Sequence, residues 1–287
     1  MSDDSSGTPG PNAAMSDNWN GVGGAHWVRN AARHDRALAA YGDAVLDAAA
    51  TRPTDRVLDI GCGTGALTRA AARRAADGTA LGVDIGRPMV EAARARTAAD
   101  GPANVAFEQA DAQVRSFTPG SVDLVLSRFG VMFFDDAAAA FANVRRGTTD
   151  RARVAFVCWR SLLHNEWMTV PAGALAEHVG FPDLGGPDAP GPFSLAEPDR
   201  VRAVLAAGGF DTTSIDEVAH PMWLGTDVED ALGYMRNQSI ARAMFQDKPP
   251  ELVDRAVDAL RTTLEGLVGP DGIELPGRAW LVTARAA

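Results

Sequence analysis

Between residues 56 and 159 short apolar runs alternate with helical stretches, and few architectures accept that order. Residues 56–60, 80–83, 105–107, 122–126 and 154–159 each read as a strand, rich in Val, Leu or Ala and too short for a helix. Between them the spacing predicts helices over 66–76, 88–98 and 137–146, with Pro88 at a helix start, where its missing N–H is no loss. Strands that alternate with helices pair in parallel, and the crossover helices cover both faces of the sheet. The expected fold class is therefore α/β, with a mostly parallel sheet between two layers of helices.

The first strand runs directly into Asp59-Ile60-Gly61-Cys62-Gly63-Thr64-Gly65 and then a helix. Glycines at such a turn let the backbone approach a ligand, and the helix N-terminus offers free N–H groups to an anion. The run Gly61-Cys62-Gly63-Thr64-Gly65-Ala66 also satisfies the dinucleotide fingerprint, so the glycines alone leave the ligand open. Asp59, Asp84 and Asp111 follow or close strands, which puts all three at the carboxyl edge of the sheet, where ligands bind. Asp84 stands where an acid accepts ribose hydroxyls. Asp59 lies where a pyrophosphate would be repelled, so the set suits a ligand carrying cations and a single carboxylate. Asp111 with Ala112 suits the amino group of an adenine.

The run Asp-Ile-Gly-Cys-Gly-Thr-Gly, then Gly82-Val83-Asp84-Ile85, then Gln109-Ala110-Asp111-Ala112, then 122–127, V-D-L-V-L-S, resembles the ordered motif set of class I S-adenosylmethionine-dependent methyltransferases. The resemblance covers residues 54–160. W-N-G-V-G-G-A-H-W-V from Trp19 and S-R-F-G-V-M-F-F from Ser127 resemble a bacterial small-molecule branch akin to quinone-biosynthesis C-methyltransferases. It implies a seven-stranded Rossmann-like sheet whose last strand, 279–284, is antiparallel, and S-adenosylmethionine as cofactor. It also implies that Gly61 and Gly63 line the methionine end and that Asp59 holds its amino group. Asp84 would take the ribose, Ile85 and Met89 sandwich the adenine, Asp111 and Ala112 meet its edge, and Ser127 sits near the methionine. Trp19 and Trp27 would close over the cofactor.

Outside the core the expected organisation is a disordered tail over 1–17, a helical cap over 18–50 and the cofactor-binding core over 51–160. An insertion or substrate lid follows over 161–197. The remainder, 198–287, carries a helical insertion at 226–270. Within these, 166–179 and 199–207 read as helices, 182–192 as a Pro/Gly-rich loop and 212–218 as a strand. Residues 227–268 read as two or three helices broken at Lys248-Pro249-Pro250. On the acceptor side the loops after the fourth and fifth strands are expected to face each other. Phe129, Met132, Phe133 and Trp167 would form walls, with Arg128, His164 and Glu166 as polar groups. Glu166 is the candidate base, a carboxyl beside a tryptophan.

Net charge is −10 and Lys248 is the only lysine, a poor basis for gripping a phosphate backbone, so no nucleic-acid partner is expected. No apolar run reaches the roughly eighteen residues that span a bilayer, and the polar, acidic N-terminus lacks a signal-peptide core. With two cysteines, Cys62 and Cys158, and no metal-ligand spacing, we expect a reduced cytoplasmic setting, no disulfide and no metal. The function expected is methyl transfer to a small aromatic acceptor of the indole, phenol or quinol type, in secondary metabolism, by in-line displacement. Two other classes stay open: a protein of this fold that binds the cofactor without methyl transfer, and an NAD(P)-dependent oxidoreductase. Asp59 and the lack of a Tyr-x-x-x-Lys pair oppose the latter.

Overall fold

The structure, a computed structural model, describes residues 10–182, 186 and 189–287. Four helices come first: α1 (Ala13–Asn20), α2 (Val22–Arg29), α3 (Ala31–Ala37) and α4 (Ala39–Ala48). The alternating core follows as β1 (Arg56–Ile60), α5 (Ala66–Arg74), β2 (Thr79–Asp84), α6 (Arg87–Asp100), β3 (Val105–Gln109), β4 (Val122–Arg128), α7 (Ala137–Gly147) and β5 (Thr148–Trp159). Then come α8 (Glu166–Val179), α9 (Pro198–Ala207), β6 (Phe210–Gly225), α10 (Val228–Met235), α11 (Ser239–Phe245), α12 (Pro250–Glu265), β7 (Val268–Gly269) and β8 (Gly272–Ala286).

The strand order is β3-β2-β1-β4-β5-β8-β6, with the two-residue β7 added to β8. β1 pairs in parallel with β2 and β4, β2 with β3 and β4 with β5, while β8 runs antiparallel between β5 and β6. The seven principal strands and the antiparallel last one are as the sequence implied. Val57, Leu58 and Ile60 of β1 and Leu124, Val125 and Leu126 of β4 are all buried, because helices cover both faces of these central strands. The parallel register aligns Asp59 with Gly82 and with Leu126, so the carboxyl ends of β1, β2 and β4 lie side by side.

Two expectations change. The tail expected over 1–17 is ordered from Gly10 onward, and residues 1–9 lie outside the described residues. Asn12 is buried and its side chain and backbone hydrogen-bond to Asp111, Gln113 and Asp135, which seats α1 directly behind it. A Ser/Pro/Gly-rich composition carries no sign of such a long-range anchor. The strands β5, β6 and β8 run well beyond the apolar stretches that mark them. β6 is an edge strand whose burial alternates, so its polar outer face hides it from an apolar reading. The helical cap expected over 18–50 is built of short helices that meet at Gly21, Asn30 and Leu38. Part of the 182–192 loop, 183–185 and 187–188, lies outside the described residues.

Candidate active site

After Ile60 the backbone passes through three left-handed glycines, Gly61 (φ 66°), Gly63 (φ 54°) and Gly65 (φ 82°), before α5 begins. Glycine at 61 also serves packing: a Cβ there would sit 2.6 Å from the Cα of Gly130, and one on Gly130 would sit 2.5 Å from the carbonyl oxygen of Ile60. The turns leaving β1 and β4 thus touch backbone to backbone. The amides of Gly61 and Cys62 donate to the carbonyl of Val83 at 2.9 and 3.1 Å, tying the same turn to β2.

Asp59 is buried at the mouth of this turn. Its Oδ2 accepts the Thr68 hydroxyl at 2.6 Å, while its Oδ1 has no partner among the described residues. Burial pushes its carboxyl up to about 7, against the pull of Thr68 and Arg128. Asp84, at the end of β2, accepts one backbone N–H on each oxygen, from Gly63 at 2.9 Å and Gly86 at 2.8 Å. Burial still lifts it to about 6. Each of its oxygens keeps acceptor capacity beyond that single bond. Both oxygens of Asp111 accept from the side-chain amide of Asn12, at 3.0 and 2.9 Å. Ala112 is buried beside it, Met89 is buried with its methyl against Gly86, and half-buried Ile85 accepts the amides of Asn20 and Gln109 at its carbonyl.

The cap closes this edge. The Nε1 of Trp27 lies 3.4 Å from where a Cβ on Gly63 would be, and Trp19 meets Trp27 and Phe133 edge-on at 5.9 and 5.5 Å. Trp27 stacks at 3.8 Å on His34, whose Nε2 lies 3.0 Å from the Tyr234 hydroxyl of α10. Burial, with His26 and Arg128 close by, pushes His34 down to about 3, so it stays neutral. Its Nδ1 has no hydrogen-bond partner among the described residues. Neither His34 nor Tyr234 was expected here. The two are 200 residues apart, and only the folding of α10 against α3 brings them together.

The polar groups expected on the acceptor side do not assemble. Ser127, expected near the methionine end of the cofactor, has its hydroxyl engaged internally: it donates to Ile60 at 2.7 Å and accepts from the amide of Gly130 at 3.1 Å, stapling the two turns. Arg128 points beneath the cap toward Asp35 and Leu38. His164 is exposed and bonded to Ser161, and Glu166 is exposed with no side-chain hydrogen bond or ion pair among the described residues. Helix phase explains the last point, since adjacent residues on α8 face directions about 100° apart. Trp167 turns inward, 5.1 Å from Trp159, and Glu166 turns to solvent. The residue that organises this loop is Asn165. It is fully buried and bonded to Trp167, Arg160, Ser161 and the amide of Arg278. Of the residues expected as walls, Phe129 (φ 65°, left-handed) stacks on Trp159 at 3.9 Å in a buried cluster that Tyr41 meets edge-on, Met132 is buried, and Phe133 meets Trp19.

Residues 57–150 match the family model described as a methyltransferase domain. The chain is 30% identical over 183 residues to the demethylmenaquinone methyltransferase of Thermus thermophilus, a match that spans 58% of this chain and 78% of that protein. The chain belongs to the S-adenosylmethionine-dependent methyltransferase family. A shorter match, 38% identical over 103 residues, joins this methyltransferase domain to the aklanonic acid methyltransferase DauC of a Streptomyces species. It covers 36% of this chain and 47% of DauC, so the chain spans about half the length of that relative. The crystal structure of a putative methyltransferase from Bacillus halodurans superposes with a TM-score of 0.56 at 16% identity, over 86% of this chain and 99% of that one, and so shares the fold.

The residues fit the family's cofactor. S-adenosylmethionine brings an ammonium, a sulfonium, ribose hydroxyls and an adenine amino group, all cations or donors, and a single carboxylate. Asp59 Oδ1 is a buried acceptor without a donor among the described residues, and it adjoins a glycine turn whose left-handed φ angles and close packing leave its backbone without side chains. A pyrophosphate at that turn would be repelled whenever Asp59 is ionised. Among the described residues no helix is long and apolar enough to cross a membrane, and no group of three or more His, Cys, Asp and Glu is gathered to hold a metal. Both cysteines are free and buried.

Proposed function

We propose that this protein transfers the methyl group of S-adenosylmethionine to a small, flat, electron-rich acceptor of the indole, phenol or quinol type. The observation that carries the reading is Asp59: a buried carboxyl with an unpartnered oxygen, beside the glycine turn and under Trp27. In this reading Asp59 accepts the cofactor's ammonium, Asp84 its ribose hydroxyls and Asp111 its adenine amino group. Ala112, Ile85 and Met89 flank the adenine, and Gly61 and Gly63 cradle the methionine end. Trp19 and Trp27 exclude water above it.

The bound cofactor supplies a methyl group on a positively charged sulfur, a leaving group that needs no proton. The chain's own contribution is then alignment and desolvation, an effect on the order of 7–11 kcal/mol at best. Phe129, Trp159 and Tyr41 form a buried aromatic cluster beside the ends of β4 and β5, with half-buried Trp167 packed on it, which supports an aromatic acceptor there. Two relatives carry names of small-molecule acceptors, which supports the size class and leaves the acceptor's identity to experiment. The test is calorimetry with S-adenosylmethionine, its demethylated product and NADH, on wild type and Asp84→Ala. A screen with label in the methyl group, over phenols, indoles, quinols and amines, follows. Micromolar binding of the first two ligands is expected, with a loss of about ten- to a hundredfold in the variant. Binding of NADH alone would overturn the reading.

A further inference from the structure

Arg128 closes β4 with its side chain 13% exposed, and it is loosely held there. Its Nη1 lies 3.4 Å from the carbonyl of Leu38 and its Nη2 3.6 Å from the carboxylate of Asp35, both at the long end of useful contact. Its stem packs on Gly42 of α4. Arg153, equally buried, makes three contacts of 2.5 to 2.7 Å with Ala49, Ala50 and Asp55. Asp35 is moreover shared, because Arg96 of α6 holds its other oxygen at 2.6 Å. A guanidinium has five donors, and burying it without acceptors is costly, so a purely structural clasp would be expected to bond more closely.

Asp35 is the nearest acid to Arg128, and the next is Asp59 on the neighbouring strand β1, whose carboxyl the Arg128 charge pulls down against the effect of burial. Asp59 is an acid with one oxygen lacking a donor among the described residues and Arg128 a cation whose contacts with Leu38 and Asp35 are both long, and both lie at the ends of adjacent strands joined through Gly61 and Gly130. A zwitterion satisfies such a pair, with an ammonium for Asp59 and a carboxylate for Arg128. Building on the S-adenosylmethionine reading above, we propose that Arg128 binds the carboxylate at the amino-acid end of the cofactor, and that Asp35 orients the guanidinium. Arg128 thereby belongs to the cofactor side of the site rather than to the acceptor side.

Decarboxylated S-adenosylmethionine isolates this contact. It keeps the sulfonium and amine and lacks only the carboxylate, and its higher positive charge would favour it in an otherwise acidic site. Calorimetry on the full chain would compare it with S-adenosylmethionine and with 5′-methylthioadenosine, which lacks the amino-acid end altogether. Wild type should prefer S-adenosylmethionine over the decarboxylated form by about tenfold or more. In Arg128→Met that preference should vanish: affinity for S-adenosylmethionine falls about ten- to a hundredfold, while the other two ligands stay within about threefold. Arg128→Lys, which keeps the charge but not the fork, should retain part of the preference. Equal wild-type affinity for the carboxylated and decarboxylated forms overturns the proposal, even should the Met variant fail to fold. A uniform loss of all three ligands in Arg128→Met overturns it too, in favour of a clasp between cap and core. Wild type that binds none of the three removes the cofactor reading itself, and this proposal with it.

Discussion

Replacing Asp59 by Asn removes a buried titratable group while keeping the side chain's shape, and its effect should depend on pH in a calculable way. The Asp59 carboxyl is raised from 3.8 to about 7 by burial. A carboxyl raised on folding contributes stability that is fully present below 3.8 and is lost as pH rises through about 7. Between pH 5 and pH 8 the wild-type fold should lose about 3 kcal/mol from this group alone. Asp59→Asn has no such proton to lose. Asp84, raised to about 6, also removes stability over this window, while His34, lowered from 6.5 to about 3, restores it as pH rises through 6.5. Both groups are present in each protein and largely cancel in the comparison. The side-chain amide that the substitution introduces leaves an N–H without an acceptor, which costs about 1–3 kcal/mol at every pH and does not change the slope. The assay is urea unfolding of both proteins without ligand at pH 5 and pH 8. The unfolding free energy of the variant minus that of wild type should rise by about 3 kcal/mol between the two. A difference that stays constant, or moves the other way, would refute the claim that this acid is held protonated by its burial. Binding should move oppositely to stability, with S-adenosylmethionine affinity in the variant down about ten- to a hundredfold.

Gly61→Ala should be among the most damaging small substitutions, because a left-handed alanine costs about 1–2 kcal/mol and its Cβ would meet Gly130 at 2.6 Å. Thermal unfolding should show a loss of about 2–5 kcal/mol, and an unshifted melt would mean that the two turns part easily. Asn12→Ala frees both oxygens of Asp111 from a competing amide, so affinity for S-adenosylmethionine should rise by up to about tenfold. A fall would show instead that Asn12 helps to hold the cofactor. Glu166→Gln touches an exposed side chain and should leave stability within about 0.5 kcal/mol and cofactor affinity unchanged. Once an acceptor is found, a turnover loss of a hundredfold or more would return Glu166 to the role of base.

Local features could be read before folding because their causes are local. A left-handed turn needs glycine whatever surrounds it, and short apolar runs bounded by breakers mark buried strands. Thus β1 and α8 stand at the residues read for them, and Asp59, Asp84 and Asp111 come to one edge because a parallel sheet puts every strand's carboxyl end there. What escaped is what depends on distant partners. The anchoring of Asn12 on Asp111, the stacking of Trp27 on His34 under Tyr234, and the turn of Arg128 toward Asp35 each join elements separated by some 90 to 200 residues or held together only by the cap's path over the sheet. Glu166 shows the limit from the other side. Its neighbour Trp167 is adjacent in the chain, but a helix sends the two in different directions, and only packing against Trp159 decides which is buried. The residue types and their order specify the sheet and the acids at its edge. Whether a charged group there is protonated, paired or left without a partner is set by burial, which belongs to the whole fold.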